Sequence, residues 1–318
     1  MGEEQEIITV TDLRKKKKKF EAVKGVSFSV KRGELFAFLG TNGAGKSTTI
    51  DILCTLIKKT SGNVVIDGFT LGEGKENNHI RKKIGVVFQE SILDERLTVY
   101  ENIMNRGQYY HLSKTQVQEN YQFVSDYLKL DDIKEKKYSD LSGGQRRRAD
   151  IARAIIHKPT ILFLDEPTTG LDPQTRVFVW NAIKRLQEET NMTIFLTTHY
   201  MEEAAVADQV VVIKEGRLIA EGTPSQLKEK YTFDSLHIIF QPGFDPTVWL
   251  KNKQLVYTVK NSEYSLRLES TLHALEILKS LEGQVESFEV IKGNMDDVFI
   301  NIIEEKGSTL SNQKGSIA

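Results

Sequence analysis

Residues 35–48 read LFAFLGTNGAGKST. The five apolar residues at 35–39 suit one buried strand and are too few for a helix. They run straight into Gly40, Thr41, Asn42, Gly43, Ala44, Gly45, Lys46, Ser47 and Thr48, which match G-x-x-x-x-G-K-[ST], and helical patterning begins near Lys46. The glycines let successive backbone N–H groups turn toward one anion, and the N-terminus of the following helix adds its partial positive charge. Lys46 can then reach β- and γ-phosphates, and the Ser47 hydroxyl can ligate Mg²⁺. A chance glycine-rich turn would not have a strand on one side and a helix on the other. The stretch therefore predicts a strand, a phosphate loop and a helix, the opening unit of an α/β core.

Further short apolar runs at 84–88, 161–164, 193–197 and 210–213 read as buried strands, and helical patterns follow Asp172 and His199. Strands alternating with helices predict a largely parallel sheet. Segments at 7–13, 23–30 and 63–67 alternate apolar and polar residues and predict an antiparallel layer. Residues 98–140 carry helical patterning with few β-branched runs, which predicts a helical insertion. Gly222, Thr223 and Pro224 supply turn chemistry. Beyond them strands at 237–240, 255–259 and 264–268, a helix at 272–281, a strand at 285–291 and a helix at 296–303 predict a small α+β unit whose order suits a ferredoxin-like fold. The domain expectation is thus 1–225, with a helical subdomain at about 98–150, then 235–306, then a polar disordered tail at 307–318.

Two more segments carry chemistry. Residues 161–166 read ILFLDE, a strand whose C-terminal end releases two carboxylates, and ligands bind at that end of an open α/β sheet. Asp165 can hold Mg²⁺ through water, opposite Ser47, and Glu166 can orient or deprotonate a water. Residues 141–145 read LSGGQ, so Ser142, Gly143 and Gly144 open a second helix able to bind an anion. One chain with one nucleotide needs no second cradle, which hints that this one serves another subunit's nucleotide. Arg146, Arg147 and Arg148 follow; helical spacing spreads them around the helix, into mixed solvent and structural roles.

In this order the segments resemble the ATP-binding cassette (ABC) ATPase family, over about residues 7–225. The resemblance brings in Gln89 in GVVFQE as the Q-loop glutamine, Asp172 in Gly170-Leu171-Asp172 as the D-loop, and His199 in FLTTHYMEEA as the switch histidine. It implies an ATPase whose cassettes pair head to tail, with a second copy or a homologous cassette. ATP would lie between one phosphate loop and Ser142, Gly143, Gly144 and Gln145 of the other chain. Glu166 would be the general base, His199 would contact the γ-phosphate, and Gln89 would sense Mg²⁺ and the attacking water and couple to a membrane partner. One element departs: the family's adenine-stacking aromatic counts back to Lys17, and Phe20, the nearest aromatic, is the favoured substitute. GVVFQESILDERLTVYENI and the closing MDDVFINIIEE (Asp297, Val298, Phe299) resemble the branch with daunorubicin-resistance-type exporters and ABC-2-type membrane subunits. The competing reading is a soluble ABC ATPase acting on ribosomes or nucleic acid. Against it stand a single cassette and the absence of a long insertion between Lys46 and Asp165.

Composition bounds the rest. The formal net charge is −1, so no global basic field marks a nucleic-acid binder, and none is expected as partner. A single cysteine, Cys54, excludes an intramolecular disulfide and a multi-cysteine metal cluster. No run approaches the ~20 apolar residues of a membrane span, so the spans are expected on separately encoded permease subunits, with this chain at the cytoplasmic face of the membrane. Lys15 to Lys19 are read as a solvated loop between edge strands, the alternative being contact with phosphates, nucleic acid or an anionic membrane.

Overall fold

The computed structural model describes residues 5–312 except Lys19, Glu73, Gln254 and Glu269. The chain divides after Glu221 into two units, each with its own core.

In the first unit, β3 (Leu35–Leu39) is buried at all five positions, as an unbroken apolar run must be when both faces of a sheet are covered. With β6 (Ile84–Val87), β7 (Ile161–Asp165), β8 (Thr193–Thr198), β9 (Gln209–Lys214) and β10 (Arg217–Gly222) it forms a six-stranded sheet ordered β10-β9-β3-β8-β7-β6. β3 runs parallel to β8 and β9, and β7 parallel to β8 and β6. The C-terminal ends of β3, β8, β7 and β6 therefore stand side by side along one edge.

A second, antiparallel sheet contains β1 (Glu6–Lys17), β2 (Phe20–Lys31), β4 (Ser61–Ile66) and β5 (Phe69–Thr70), in the order β2-β1-β4-β5. Phe28 of β2 joins the layers: its ring stacks on Phe36 with centroids 5.3 Å apart and lies 5.4 Å from Phe38 and 5.9 Å from Phe195. The lysine run is not a loop over its first part. Lys15, Lys16 and Lys17 belong to β1, paired with Val23, Glu21 and Phe20, and the Lys15 ammonium donates to the Lys58 carbonyl at 2.5 Å. Lys19 lies outside the described residues.

Helices α1 (Lys46–Leu53), α2 (Lys75–Lys83), α3 (Val99–Gln108), α4 (Lys114–Leu128), α5 (Gly143–Ile155), α6 (Pro173–Thr190) and α7 (Met201–Ala204) complete the unit. Those of the helical insertion start where local chemistry dictates. Thr98 with Glu101, Ser113 with Gln116, and Ser142 with Gln145 each form a reciprocal capping box at the heads of α3, α4 and α5.

The second unit holds α8 (Pro224–Tyr231), β11 (Asp234–Phe240), α9 (Thr247–Asn252), β12 (Tyr257–Lys260), β13 (Glu263–Leu268), α10 (His273–Ser280), β14 (Val285–Ile291) and α11 (Met295–Asn312). The sheet order is β12-β13-β11-β14, all antiparallel, so β11 to β14 follow the β-α-β-β-α-β ferredoxin-like plan. The sequence reading lacked its first helix, α9, whose Leu250 is buried and whose Trp249 packs on the core of Leu236, Ile238, Leu266 and Ile277. α8 packs with α11, where Asn301 donates to the Tyr231 carbonyl at 2.7 Å. Asp297 and Asn294 cap each other at the head of α11, and Val298 is buried, which gives the D-V-F segment a structural role. α11 runs to Asn312, into the expected tail, whose residues 313–318 lie outside the described residues. Among the described residues no helix is long and apolar enough to cross a membrane.

Candidate nucleotide site

Four adjacent strand ends build the site. β3 releases Gly40, β8 releases His199, β7 ends in Asp165 with Glu166 next, and β6 leads to Gln89. Two glycines show why the loop after β3 needs them. A side chain at Gly40 would come within 2.5 Å of the Ile213 carbonyl, and Gly45, at φ +109°, would bring one within 2.7 Å of the Ala22 carbonyl. Lys46, 4 % exposed, donates to the Gly40 carbonyl at 2.7 Å and the Thr41 carbonyl at 3.3 Å, and lies 3.5 Å from Glu166 Oε1. Burial pushes the lysine pKa down, against the pull of Glu166 and Asp165. A bound phosphate would hold it charged.

The same Glu166 oxygen lies 3.2 Å from Nδ1 of His199. Glu166 itself sits at φ +46°, a left-handed conformation rare for such a residue, with its N–H bonded to the Thr197 carbonyl at 3.1 Å. Asp165, 8 % exposed, accepts from the Thr197 hydroxyl. Its pKa is raised, chiefly by burial, with Thr197 opposing. A cation beside it would favour the ionised form.

Lys46 and Glu166 border a cavity of about 350 Å³ whose wall also includes Asn42, Gly43, Gly45, Ser47, Thr48, Gln89, Lys17, Phe20 and Ala22, while Asp165 and His199 are not part of that wall. Phe20 is 62 % exposed, leaving its ring open to a planar ligand. Ala44 is buried, its carbonyl accepting from Gly216 N–H. The LSGGQ residues are not in this wall. Gly143 borders a separate cavity of about 230 Å³ that also reaches Gln89 and Glu166. Ser142 and Gln145 are engaged in their own cap, and Gly144 leaves room only for Thr175, with 2.4 Å between an added Cβ and its methyl. Asp172 caps α6 through the Thr175 N–H at 2.9 Å.

The three arginines all hold main-chain carbonyls. Arg146 reaches those of Ser139 and Leu141, and Arg148 those of Leu128 and Lys129. Arg147, 7 % exposed, bonds those of Phe88, Asp165 and Pro167. Sequence reasoning missed Arg147, because nothing in three consecutive arginines marks one as buried. It also missed Thr197 and Glu203; Glu203 is buried and accepts from Thr168. A threonine inside the apolar run 193–197, next to a carboxylate-bearing strand, was the available signal for Thr197.

Comparison with known proteins agrees with this geometry. Residues 23–169 match the family model described as ABC transporter, and residues 222–303 the one described as ATP-binding protein DrrA1-3-like, C-terminal domain. The chain is 34 % identical to the linearmycin resistance ATP-binding protein of Bacillus subtilis, over 93 % of this chain and 98 % of that one. It is 34 % identical to the daunorubicin/doxorubicin resistance ATP-binding protein of Streptomyces peucetius, over 88 % and 87 %. A Nod factor export ATP-binding protein I of Burkholderia lata is 40 % identical over 69 % and 72 %. Among solved structures, a component of a Clostridium perfringens ABC transporter complex superposes with TM-score 0.66 and 31 % identity, covering 70 % of this chain and 91 % of that one. A dimeric ATP-binding cassette in a post-hydrolysis state with ADP and Pi gives 0.63 and 30 %, covering 68 % and 98 %.

Proposed function

The chain belongs to the ATP-binding subunits of ABC transporters, and from that premise we propose that it is the ATP-hydrolysing motor of an ABC-2-type exporter of drugs, lipids or ions. It would work from the cytoplasmic face of the membrane, with separately encoded permease subunits and a second copy of itself or a homologous cassette. The observation that carries the reading is Glu166 Oε1 standing 3.5 Å from Lys46 and 3.2 Å from His199, with Lys46, Gln89 and Glu166 in the wall of one cavity beside the phosphate loop. The pairing of this cassette with a DrrA1-3-like C-terminal domain supports the exporter branch.

Each residue has a role that its surroundings suit. Backbone N–H groups from Gly40 to Thr48 would cradle the β- and γ-phosphates, with Lys46 turning from its carbonyls onto them. Phe20 would stack on the base. Ser47, Asp165 through water, and Gln89 would hold Mg²⁺, and the buried, hydroxyl-bonded Asp165 suits a cation. Mg²⁺ there would neutralise charge on the phosphate oxygens. Glu166 would draw a proton from the attacking water while His199, 3.2 Å away, contacts the γ-phosphate. Ser142, Gly143, Gly144 and Gln145, which stand outside the wall of the chain's own cavity, would close the nucleotide of the other cassette, with Asp172 at the same junction.

The test is Glu166→Gln in the purified chain. ATP affinity should remain within about threefold and turnover should fall by two to three orders of magnitude or more, the range for loss of a positioned base. Turnover near wild type would overturn the base assignment. For the partner, capture of a multi-span membrane protein from detergent-solubilised membranes supports the exporter reading, and capture of ribosomal or DNA-bound proteins instead contradicts it.

A further inference from the structure

One turn of α5 grips the chain on both sides of Glu166 and on both sides of Gln89. The Arg147 guanidinium donates to the carbonyls of Asp165 and Pro167, the two neighbours of Glu166, at 3.2 and 2.5 Å. It also donates at 2.7 Å to the carbonyl of Phe88, the residue before Gln89. Three residues further along the helix, Asp150 accepts from the hydroxyl of Ser91, two residues after Gln89, at 2.5 Å, and from Tyr138 at 3.4 Å. Arg147 and Asp150 are 7 % and 5 % exposed. They border the same cavity of about 230 Å³ as Gln89, Glu166 and Gly143.

We propose that Arg147 and Asp150 form a yoke that ties the catalytic Glu166 and the Q-loop to the helix whose N-terminus carries Ser142, Gly143 and Gly144. The inference rests on the roles given above to Glu166 and Gln89, and it adds positioning residues that the motif pattern does not contain.

A planar guanidinium with donors aimed at three carbonyls in three directions fixes its acceptors relative to one another. An α-helix moves as a rigid rod over so short a span, so displacement of the Ser142 end displaces the Arg147–Asp150 turn. Because the acceptors bracket Glu166 and Gln89 rather than include them, the yoke leaves both side chains free for ligand. It sets only where their backbones stand. Capture of a nucleotide by the Ser142 end would thereby be felt at the chain's own Glu166, and a pull on the Q-loop felt at the Ser142 end. Glu166, held at φ +46°, is well suited to such control, because its conformation has to be imposed from outside.

The experiment uses the full-length purified chain and reads kcat, the KM for ATP and the thermal midpoint. Ser91→Ala removes one hydroxyl at the edge of the yoke and avoids the unfolding that loss of buried Arg147 would risk. It should lower kcat about tenfold, the scale of one hydrogen bond to a charged group expressed in a barrier. KM should stay within about twofold and the midpoint within a degree or so. Ser91→Thr, which restores the hydroxyl, should recover most of kcat. Asp150→Ala should lower kcat as well, and with Asp150→Ala in place Ser91→Ala should cost nothing more. Wild-type kcat in Ser91→Ala overturns the proposal, as do multiplying losses in the double variant, or a fall in kcat tracked by the midpoint and KM. Glu166→Gln in the same assay tests the underlying base assignment separately, since it leaves every contact of α5 intact.

Discussion

His157 shows how one side chain can be tuned by neighbours far from the chemistry. Its ring stacks face to face on Tyr110, centroids 3.7 Å apart and planes 2° from parallel, and Nε2 lies 3.1 Å from the Ile84 carbonyl. Burial lowers its pKa to about 4, with Arg106 and Arg153 adding repulsion against the Ile84 bond. A histidine depressed in the folded state favours folding most above its unfolded value and loses that contribution as pH falls toward 4. Stability should therefore drop by on the order of 2–3 kcal/mol between about pH 6.5 and pH 4 from this residue alone. His157→Phe should keep the stack, cost about 1 kcal/mol at pH 7 for the lost hydrogen bond, and flatten the acid limb of a urea-denaturation series. At this scale the sequence was legible where a motif named the residue: Lys46 and His199 both stand within 3.5 Å of Glu166 Oε1. It was silent where burial alone decides, as at Arg147 among three arginines and at Thr197 within TIFLT.

At the scale of elements, four helix starts share one local pattern that the sequence carries but the sequence reading did not use. Thr98/Glu101, Ser113/Gln116, Ser142/Gln145 and Thr223/Gln226 are all S/T-x-x-E/Q patterns in sequence and all reciprocal capping boxes in the fold. Ser113→Ala frees the Gln116 N–H at the head of α4 and should cost about 1 kcal/mol in a denaturation midpoint, with ATP affinity unchanged because α4 contributes no wall to the nucleotide cavity. Helix α9 shows the opposite case. It has six residues, no side-chain cap and a proline at its N-cap, and Leu250 declares itself only once the core it fills is known. The lysine run misled for a related reason: exposed lysines look alike in a loop and at the end of a strand, and only pairing with β2 distinguishes them.

At the scale of the molecule, the change of pattern near Gly222 is matched by two separate cores. Because Leu236, Ile238, Leu250, Leu266 and Ile277 close a core without any residue of the first unit, a fragment of residues 222–312 should fold alone and give a dispersed amide NMR spectrum; a collapsed spectrum would show that it needs the cassette. The chain has two tryptophans. Trp180 lies on α6 of the first unit and Trp249 on α9 of the second, packed on its core. Each unit thus carries its own optical reporter. Trp180→Phe leaves a chain whose indole emission follows the second core only, and Trp249→Phe one that follows the cassette. Fluorescence can then time the melting of motor and appendage in the same intact polypeptide, without a dye or a cut.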